Sequence, residues 1–475
     1  MIFHSFQYLV FFVALISVYW WLPFRGQNLL LLAASYFFYG FVHPWFLILL
    51  TGTALIDFFT SNRMVLDPGR KRFYLGITLV ANLGVLCAFK YLDFLSGGHA
   101  LQIVHWLGFK QMTAQDVAAL LPVGLSFYTF QSIAYVMDVY RGEIQPQRKL
   151  LDFLLFVSFF PQLVAGPIQR AAFLSGQLNK PRVFDARIAR SAVVLILWGY
   201  LKKLVIADNA ATICNKVFSL DQPSWPVLWA GVFAFSVQIF ADFSAYTDIA
   251  RGCSRLLGID IAQNFNHPYL ANSPPDFWRR WHISLSTWFR DYVYIPLGGG
   301  RRSQGRVMVN ILLTFLLSGL WHGASWNYLL WGAYHGVLLV LWRLWEQGPV
   351  AWRPDRFWRW PQVLLTFGLV NFGWLLFRET DLRMLGRYLS LNPFAASAAE
   401  WQAAVYLFTN VLLFALPIII HMALHPWIER HLQYADEAPP RWSWAILQGL
   451  TASLLIVGIR LLAAPDSSDF IYFQF

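Results

Sequence analysis

The stretch PVLWAGVFAFSVQIFADFSAYTDIA, at residues 226–250, decides the fold of this chain. It carries only two charged side chains, Asp242 and Asp248, over 25 residues. An α-helix of about 20 apolar residues crosses the hydrocarbon core of a bilayer. A strand of a membrane β-barrel alternates polar and apolar residues, and this stretch does not alternate. The sequence therefore predicts a helix that spans a membrane.

Apolar stretches of this kind recur along the whole chain. The 475 residues are 57% hydrophobic and 13% charged, whereas a soluble domain carries about 25% charged residues. So few charges exclude a soluble, disordered or fibrous protein. The pattern predicts one all-α polytopic domain over residues 1–475, with about 11–13 transmembrane or re-entrant helices. The stretches lie near 6–23, 28–42, 45–60, 73–92, 122–140, 151–166, 188–207, 226–250, 307–322, 326–342, 361–377, 401–422 and 444–463.

The distribution of basic residues predicts the orientation. If the N-terminus is outside and residues 151–166 enter the membrane and return, 27 of the 36 Lys and Arg residues fall on the cytoplasmic side. Basic residues are enriched in cytoplasmic loops. Prolines 161 and 167 also favour a broken segment at 151–166. We therefore expect a multi-pass membrane protein with its N-terminus outside and residues 251–306 in the cytoplasm. The net charge of +11 then indicates loops beside anionic lipid, not nucleic-acid binding.

Residues 272–296, NSPPDFWRRWHISLSTWFRDYVYIP, predict an amphipathic helix capped by Ser273. Two interpretations stay open. The helix lies at the interface, anchored by tryptophans among lipid headgroups, or its arginines form a basic mouth that holds a phosphate-bearing ligand. At helical spacing, one face carries Phe277, Trp281, Leu285, Trp288 and Tyr292, and the other carries Arg279, His282, Ser286 and Arg290.

A second candidate site is His322 in LLSGLWHGASWNYLLWGAYHG, residues 316–336. An ionisable residue at the end of an apolar helix is costly and marks a candidate functional site. Imidazole suits general-base catalysis near neutral pH, although a hydrogen-bonded structural histidine remains the alternative. The small residues Ser318, Gly319 and Gly323 predict room for a substrate beside the ring. His335 is expected to be structural.

A third candidate is Asp242, which lies nine residues before Arg251 and therefore near the bilayer midplane. It could orient a histidine, bind a proton or hold two helices together. The pair His421 and His425 has a spacing that could hold zinc, but no third ligand accompanies it. The three cysteines match no metal or redox spacing. We predict no metal site.

Several stretches resemble the membrane-bound O-acyltransferases, and more narrowly their bacterial branch with alginate O-acetyltransferase and the teichoic-acid D-alanylation protein. The resemblance implies a ring of helices around a tunnel, in the inner membrane of a bacterium. It implies that His322 is the catalytic residue and that His282 is the upstream motif histidine, which we expect to assist catalysis by positioning or polarising the thioester. The resemblance rests on residues 274–299 (PPDFWRRWHISLSTWFRDYVYIPLGG), 316–336, 238–252 (QIFADFSAYTDIARG) and 470–475 (FIYFQF), and also on LPVGLSFYTFQSIAYVMDVYRG and FFPQLVAGPIQR.

The resemblance also implies the reaction. An acyl group, expected to be acetyl, would move from acetyl-CoA or another acyl thioester to hydroxyls of an extracytoplasmic polysaccharide such as alginate. No tightly bound cofactor is expected. An extracytoplasmic acyl-handling protein is the expected partner, alongside membrane lipid. The residues expected to bind substrate or donor are Arg279, Arg280, Trp281, Asp242 and Trp321.

Alternatives remain at this stage. Cellulose, teichoic acid and peptidoglycan are other acceptors that the shared motifs allow. A transporter of a lipid or polymer unit would suit a broken segment and a midplane aspartate, although it does not need the histidine pair. A scaffold for an exopolysaccharide complex is compatible with the enzyme.

Overall fold

The computed structural model describes the chain apart from residues 2, 42, 107–112, 114–121, 349–358, 438–441, 466–467, 469 and 472–475. Within the described ranges the structure consists of helices and turns, without a strand. The all-α prediction is therefore confirmed. Six of the described helices are long and apolar enough to cross a membrane, as a polytopic protein requires. They are Pro68–Leu95, Trp225–Leu256, Gln304–His322, Arg359–Arg378, Ala398–Leu424 and Ala445–Leu462.

The chain divides into two compact units. The first comprises residues 1–189, 253–263 and 287–297. A π-helical turn, Arg290–Tyr294, belongs to it. Its α-helices are α1 Phe6–Tyr19, α2 Phe24–Gly40, α3 Phe46–Leu66, α4 Lys71–Leu86, α5 Leu92–Leu95, α6 Ala100–Trp106, α7 Leu125–Arg141, α8 Leu150–Ser158, α9 Phe160–Leu163 and α10 Ala171–Leu178.

The predicted break in residues 151–166 is present in this first unit. Helix α8 ends at Ser158, and the short helix α9 begins at Phe160. Phe159 between them has φ −49° and ψ 108°, which is not helical. Pro161 lies in the first turn of α9, where its missing N–H costs nothing. The segment therefore has the broken form that proline predicts.

The second unit comprises residues 190–252, 264–286 and 298–475. It contains both candidate histidines and the five residues expected to bind substrate or donor. A π-helical segment, Lys202–Ala207, follows its first helix. The α-helices that lie wholly or mostly in it are α11 Ala186–Leu201, α12 Asp208–Phe218, α13 Trp225–Leu256, α14 Pro274–Arg280, α15 Ile283–Phe289, α16 Gln304–His322, α17 Trp326–Gln347, α18 Arg359–Arg378, α19 Leu382–Leu389, α20 Ala398–Glu437 and α21 Trp442–Leu462.

Helices α16 and α17 pack backbone to backbone. A Cβ added to Gly319 would lie 2.2 Å from the carbonyl oxygen of Tyr328, and one added to Gly332 would lie 2.3 Å from that of Phe315. Only glycine permits so close an approach. The two helices are thus fixed against each other at the end where α16 carries His322.

Candidate functional site

The predicted amphipathic helix over residues 272–296 is wrong in one respect, because it is broken at Trp281 and His282. Helix α14 ends at Arg280 and α15 begins at Ile283. His282 has φ +41°, in the left-handed region that few residues other than glycine adopt. The predicted cap is confirmed, since Ser273 accepts a hydrogen bond from the N–H of Asp276.

Asn264, which lies 18 residues upstream, explains the break. Its main-chain oxygen accepts a hydrogen bond from the N–H of Ile283 at 2.9 Å. Its side-chain oxygen accepts from the N–H and hydroxyl of Ser284, at 3.3 and 2.7 Å. Asn264 therefore supplies the acceptors that a continuous helix would have provided to the first turn of α15. The carbonyl of His282 in turn accepts from the N–H of Ser286 at 3.0 Å.

This break turns His282 into the protein interior. The side chain is 1% exposed, whereas a continuous helix would place it on the basic face. Its ring lies edge-to-face with Phe243, 4.7 Å between centroids, and 5.9 Å from the ring of Trp321. Burial lowers the pKa of His282 to about 3. The imidazole is therefore neutral at physiological pH.

His322 lies at the last position of α16, before Gly323. It is 5% exposed. Its ring centroid lies 4.9 Å from Trp331, 5.2 Å from Phe377 and 5.0 Å from Trp321. Because Trp321 also packs on His282, one indole contacts both candidate histidines. The structure thus brings together two residues that are 40 positions apart in the sequence.

The prediction that small residues near His322 leave room for a substrate is wrong. The backbone of Tyr328 fills the space beside Gly319, and a Cβ on Gly323 would lie 2.2 Å from the Tyr328 ring. These glycines serve the close approach of α17. Any space for a substrate must therefore lie on another side of the imidazole.

The two arginines of α14 differ in their surroundings. Arg279 has a side chain 69% exposed, 3.6 Å from Asp276. Arg280 is 29% exposed, and its Nε lies 2.9 Å from the same carboxylate. Its Nη1 also donates to the carbonyl of Asn266 at 3.4 Å. Arg280 therefore holds the loop that contains Asn264, and Arg279 is the better exposed of the two cations.

The aromatic face predicted for residues 277–292 is buried. Trp281 is 1% exposed and packs 4.8 Å from Trp374 and 5.0 Å from Phe265, so it belongs to an aromatic core. Protein side chains cover this face, which argues against tryptophans that anchor in lipid. The five residues of the face, all buried, are Phe277, Trp281, Leu285, Trp288 and Tyr292.

His335 lies in the same aromatic region, beside Trp278 and Trp331. Its ring centroid is 5.0 Å from Trp278 and 5.0 Å from Trp331. A Cβ on Gly373 would lie 2.5 Å from its Nε2. A close-packed setting of this kind is typical of a structural histidine.

Asp242 lies in a buried charge cluster that the sequence analysis missed. Its carboxylate is 3.1 Å from the ammonium of Lys203, which also lies 2.9 Å from Asp208. The side chain therefore joins separate elements, as the helix-joining alternative predicts. Lys202 and Lys203 within the apolar stretch 188–207 were the available signal, because a charge at that depth requires a partner.

No group of three His, Cys, Asp or Glu side chains that could hold a metal occurs in the part of the chain that the structure describes. His421 stacks on Trp198 at 5.0 Å. The side chain of His425 lies outside the described residues.

A cleft of about 910 Å³ opens in the first unit, where Arg25, Arg148 and Lys149 lie beside leucines. None of the predicted site residues lines it. The histidine site of the second unit is therefore a separate feature.

Comparison with known proteins adds a second line of evidence. A family model described as membrane-bound O-acyltransferase matches residues 146–380, which include both histidines. A probable alginate O-acetylase of Pseudomonas putida is 34% identical, over 100% of both chains. The chain belongs to the membrane-bound O-acyltransferase family. The resemblance stated from the motifs is thereby confirmed.

Other members of this family are similar over most of their length. A probable alginate O-acetylase of Pseudomonas aeruginosa is 39% identical, over 82% of this chain and 74% of the relative. A peptidoglycan O-acetyltransferase of Helicobacter pylori is 32% identical, over 94% and 91%. The protein is thus a membrane-bound O-acyltransferase whose relatives are named for different polymers.

Proposed function

We propose that this protein transfers an acetyl group from a cytoplasmic acyl thioester to hydroxyl groups of an extracytoplasmic polysaccharide, of which alginate is the first candidate. The observation that carries the proposal is the contact of His282 and His322 with one indole, that of Trp321. The relatives named as alginate O-acetylases support the choice of acceptor. The relative named for peptidoglycan makes that polymer the main alternative.

His322 acts as general base. One imidazole nitrogen takes the proton of the acceptor hydroxyl while the hydroxyl oxygen attacks the thioester carbonyl. The tetrahedral intermediate expels the thiolate, and the histidine returns its proton to the leaving sulfur. Apolar rings within about 5 Å of the imidazole exclude bulk water, which would otherwise hydrolyse the thioester.

His282 assists as a neutral group. Because burial keeps its pKa far below physiological pH, it donates or accepts a hydrogen bond without carrying charge. Its role is to orient the donor or to polarise the thioester carbonyl. The left-handed backbone at this residue supports a site role, since strained conformations cluster where the surrounding structure fixes a functional geometry.

The donor is acetyl-CoA or another acyl thioester that approaches from the cytoplasm. Arg279 contributes to its binding, because its exposed guanidinium suits phosphate. The proposal includes an N-terminus outside and a cytoplasmic 251–306 stretch, as the asymmetry of basic residues indicates. An extracytoplasmic acyl-handling protein completes the system.

The test is acyl transfer by purified protein with His322→Ala, normalised to the amount of folded, detergent-extracted protein. Turnover is expected to fall about 10²–10⁴-fold, the usual contribution of a general base. His335→Ala is the matched control, since it removes an equally buried histidine of the same unit. Loss of turnover per folded molecule in both variants, or in neither, would contradict the assignment.

A further inference from the structure

A buried charge cluster in the second unit makes contacts with the end of the described chain. The cluster consists of Lys203, Asp208 and Asp242, whose side chains are 4%, 1% and 2% exposed. We call residues 468–471 the terminal segment, of which the structure describes 468, 470 and 471. Each of the three charged groups contacts this segment.

The contacts are specific in their atoms. The ammonium of Lys203 donates to the carbonyl oxygen of Ser468 at 2.7 Å. The hydroxyl of Ser468 donates to Asp208 at 2.6 Å. The N–H of Ile471 donates to the Oδ2 of Asp242 at 2.7 Å. Charge-assisted hydrogen bonds of this length are the strong ones, so the segment is held at both ends.

Stability alone does not explain such a cluster. Buried ion pairs contribute little net stability compared with apolar residues of the same volume, because desolvation offsets their attraction. The cluster also sets two carboxylates against one ammonium. What it does provide is a fixed position for the main chain at residues 468, 470 and 471, none of which lies in an α-helix.

The terminal segment in turn packs towards His282. Phe470 is 2% exposed, with its ring 4.7 Å from Tyr246 and 6.0 Å from Phe243. Phe243 lies edge-to-face against His282 at 4.7 Å. Phe243 is thus packed between the terminal segment and the candidate imidazole.

We infer that Asp242, with Lys203 and Asp208, is a positioning residue: the cluster fixes the terminal segment, which holds Phe243 against His282 and so sets the orientation of that imidazole. The inference rests on the proposed function for its kinetic consequence and on the contacts alone for its structural consequence. Asp242 acts on the imidazole through the segment, which it contacts at the N–H of Ile471.

The experiment removes the hydrogen bond between Ile471 and Asp242 in two ways, by deleting its donor or by deleting its acceptor. Ile471→Pro deletes the N–H that donates to Asp242, and Ile471→Ala is the control that keeps it. Asp242→Ala deletes the acceptor, whereas Asp242→Asn keeps an oxygen that can accept from Ile471. Lys202→Met is a second control, because Lys202 pairs with Asp248 and Ser244 and not with the terminal segment.

Two readouts are measured on the full-length protein. Ile471→Pro and Asp242→Ala are expected to lower kcat by about tenfold or more, the loss that follows removal of a charge-assisted hydrogen bond, with the apparent KM for the donor unchanged. The double variant should be no slower than Asp242→Ala, since both changes remove one interaction. Asp242→Asn should retain most of the activity.

The second readout is limited proteolysis with mass spectrometry, which needs no activity. Asp242→Ala and Ile471→Pro should become cleavable between residues 463 and 471, whereas the wild type and the two controls resist. If the terminal segment becomes cleavable in these variants while kcat is unchanged, the positioning role is wrong. An intact segment in Asp242→Ala would overturn the anchoring. If wild-type protein transfers no acyl group, the proposed function fails, while the proteolysis result still decides the anchoring.

Discussion

Asn264→Ala tests whether a single upstream side chain creates the backbone turn at His282. The Asn264 amide oxygen accepts from the N–H and the hydroxyl of Ser284, and both of its hydrogen bonds are buried. Each buried group left without an acceptor costs about 1–3 kcal/mol. The variant should therefore lose about 2 kcal/mol of stability or more. Without the cap, the backbone at His282 relaxes towards an ordinary helical conformation and the imidazole moves.

The assay combines thermal unfolding in detergent with turnover normalised to folded protein. We expect a fall of a few degrees in Tm and a loss of turnover larger than the loss of folded material. Asn266→Ala is the matched control, because Asn266 is exposed and its hydrogen bonds with Arg280 use its main chain, which alanine keeps. Equal effects of the two substitutions, or wild-type Tm and turnover in Asn264→Ala, would refute the reasoning.

Two further predictions concern the basic stretch and its side of the membrane. Arg279→Gln should mainly raise the apparent KM for the donor in steady-state kinetics, because it removes an exposed cation. Arg280→Gln should instead lower Tm in thermal unfolding, because it releases Asp276 and the Asn266 loop. A lower Tm for Arg279→Gln together with a higher KM for Arg280→Gln would contradict this prediction. The topology is tested with single cysteines at the exposed positions Ser303 and Ser397, after the exposed native Cys87 has been replaced. In intact cells, an impermeant thiol reagent should label the cysteine at position 397 and not the one at position 303. Labelling at position 303 would exclude the topology.

Hydropathy predicted the features that depend on local composition. The span at 226–250, the helix that ends at His322 and the broken segment near Phe159 all appear where the apolar pattern and the prolines indicated. Each of these follows from residues close together in the chain. The all-α fold therefore required no knowledge of tertiary contacts.

The break at His282 could not be predicted in this way. Residues 272–296 have a helical pattern of apolar positions throughout, and the acceptors that interrupt it come from Asn264. Tertiary contacts thus override the local period. The same limit applies to Gly319 and Gly323. Small residues are compatible both with a substrate cavity and with close helix packing, and only the position of Tyr328 in the structure shows that they serve close packing.

The charge cluster was predictable in part. A lysine within an apolar stretch requires a partner, so the sequence contained a signal for the pairing of Lys203 with Asp242. Its link to the terminal segment was not predictable, since the contacts to Lys203 and Asp242 use main-chain atoms of Ser468 and Ile471, which carry no sequence signature.

The left-handed backbone at residue 282 restricts which amino acids the position accepts. Glycine tolerates φ +41°, and histidine, asparagine and aspartate tolerate it better than other side chains do. Of these four, only histidine carries an imidazole. The backbone conformation therefore restricts position 282 by itself, and the role proposed for the imidazole would restrict it further. Under the role proposed for the imidazole, His282→Asn is the replacement that removes the ring with the least change to the backbone, because glutamine is as polar as asparagine but lacks its preference for this conformation.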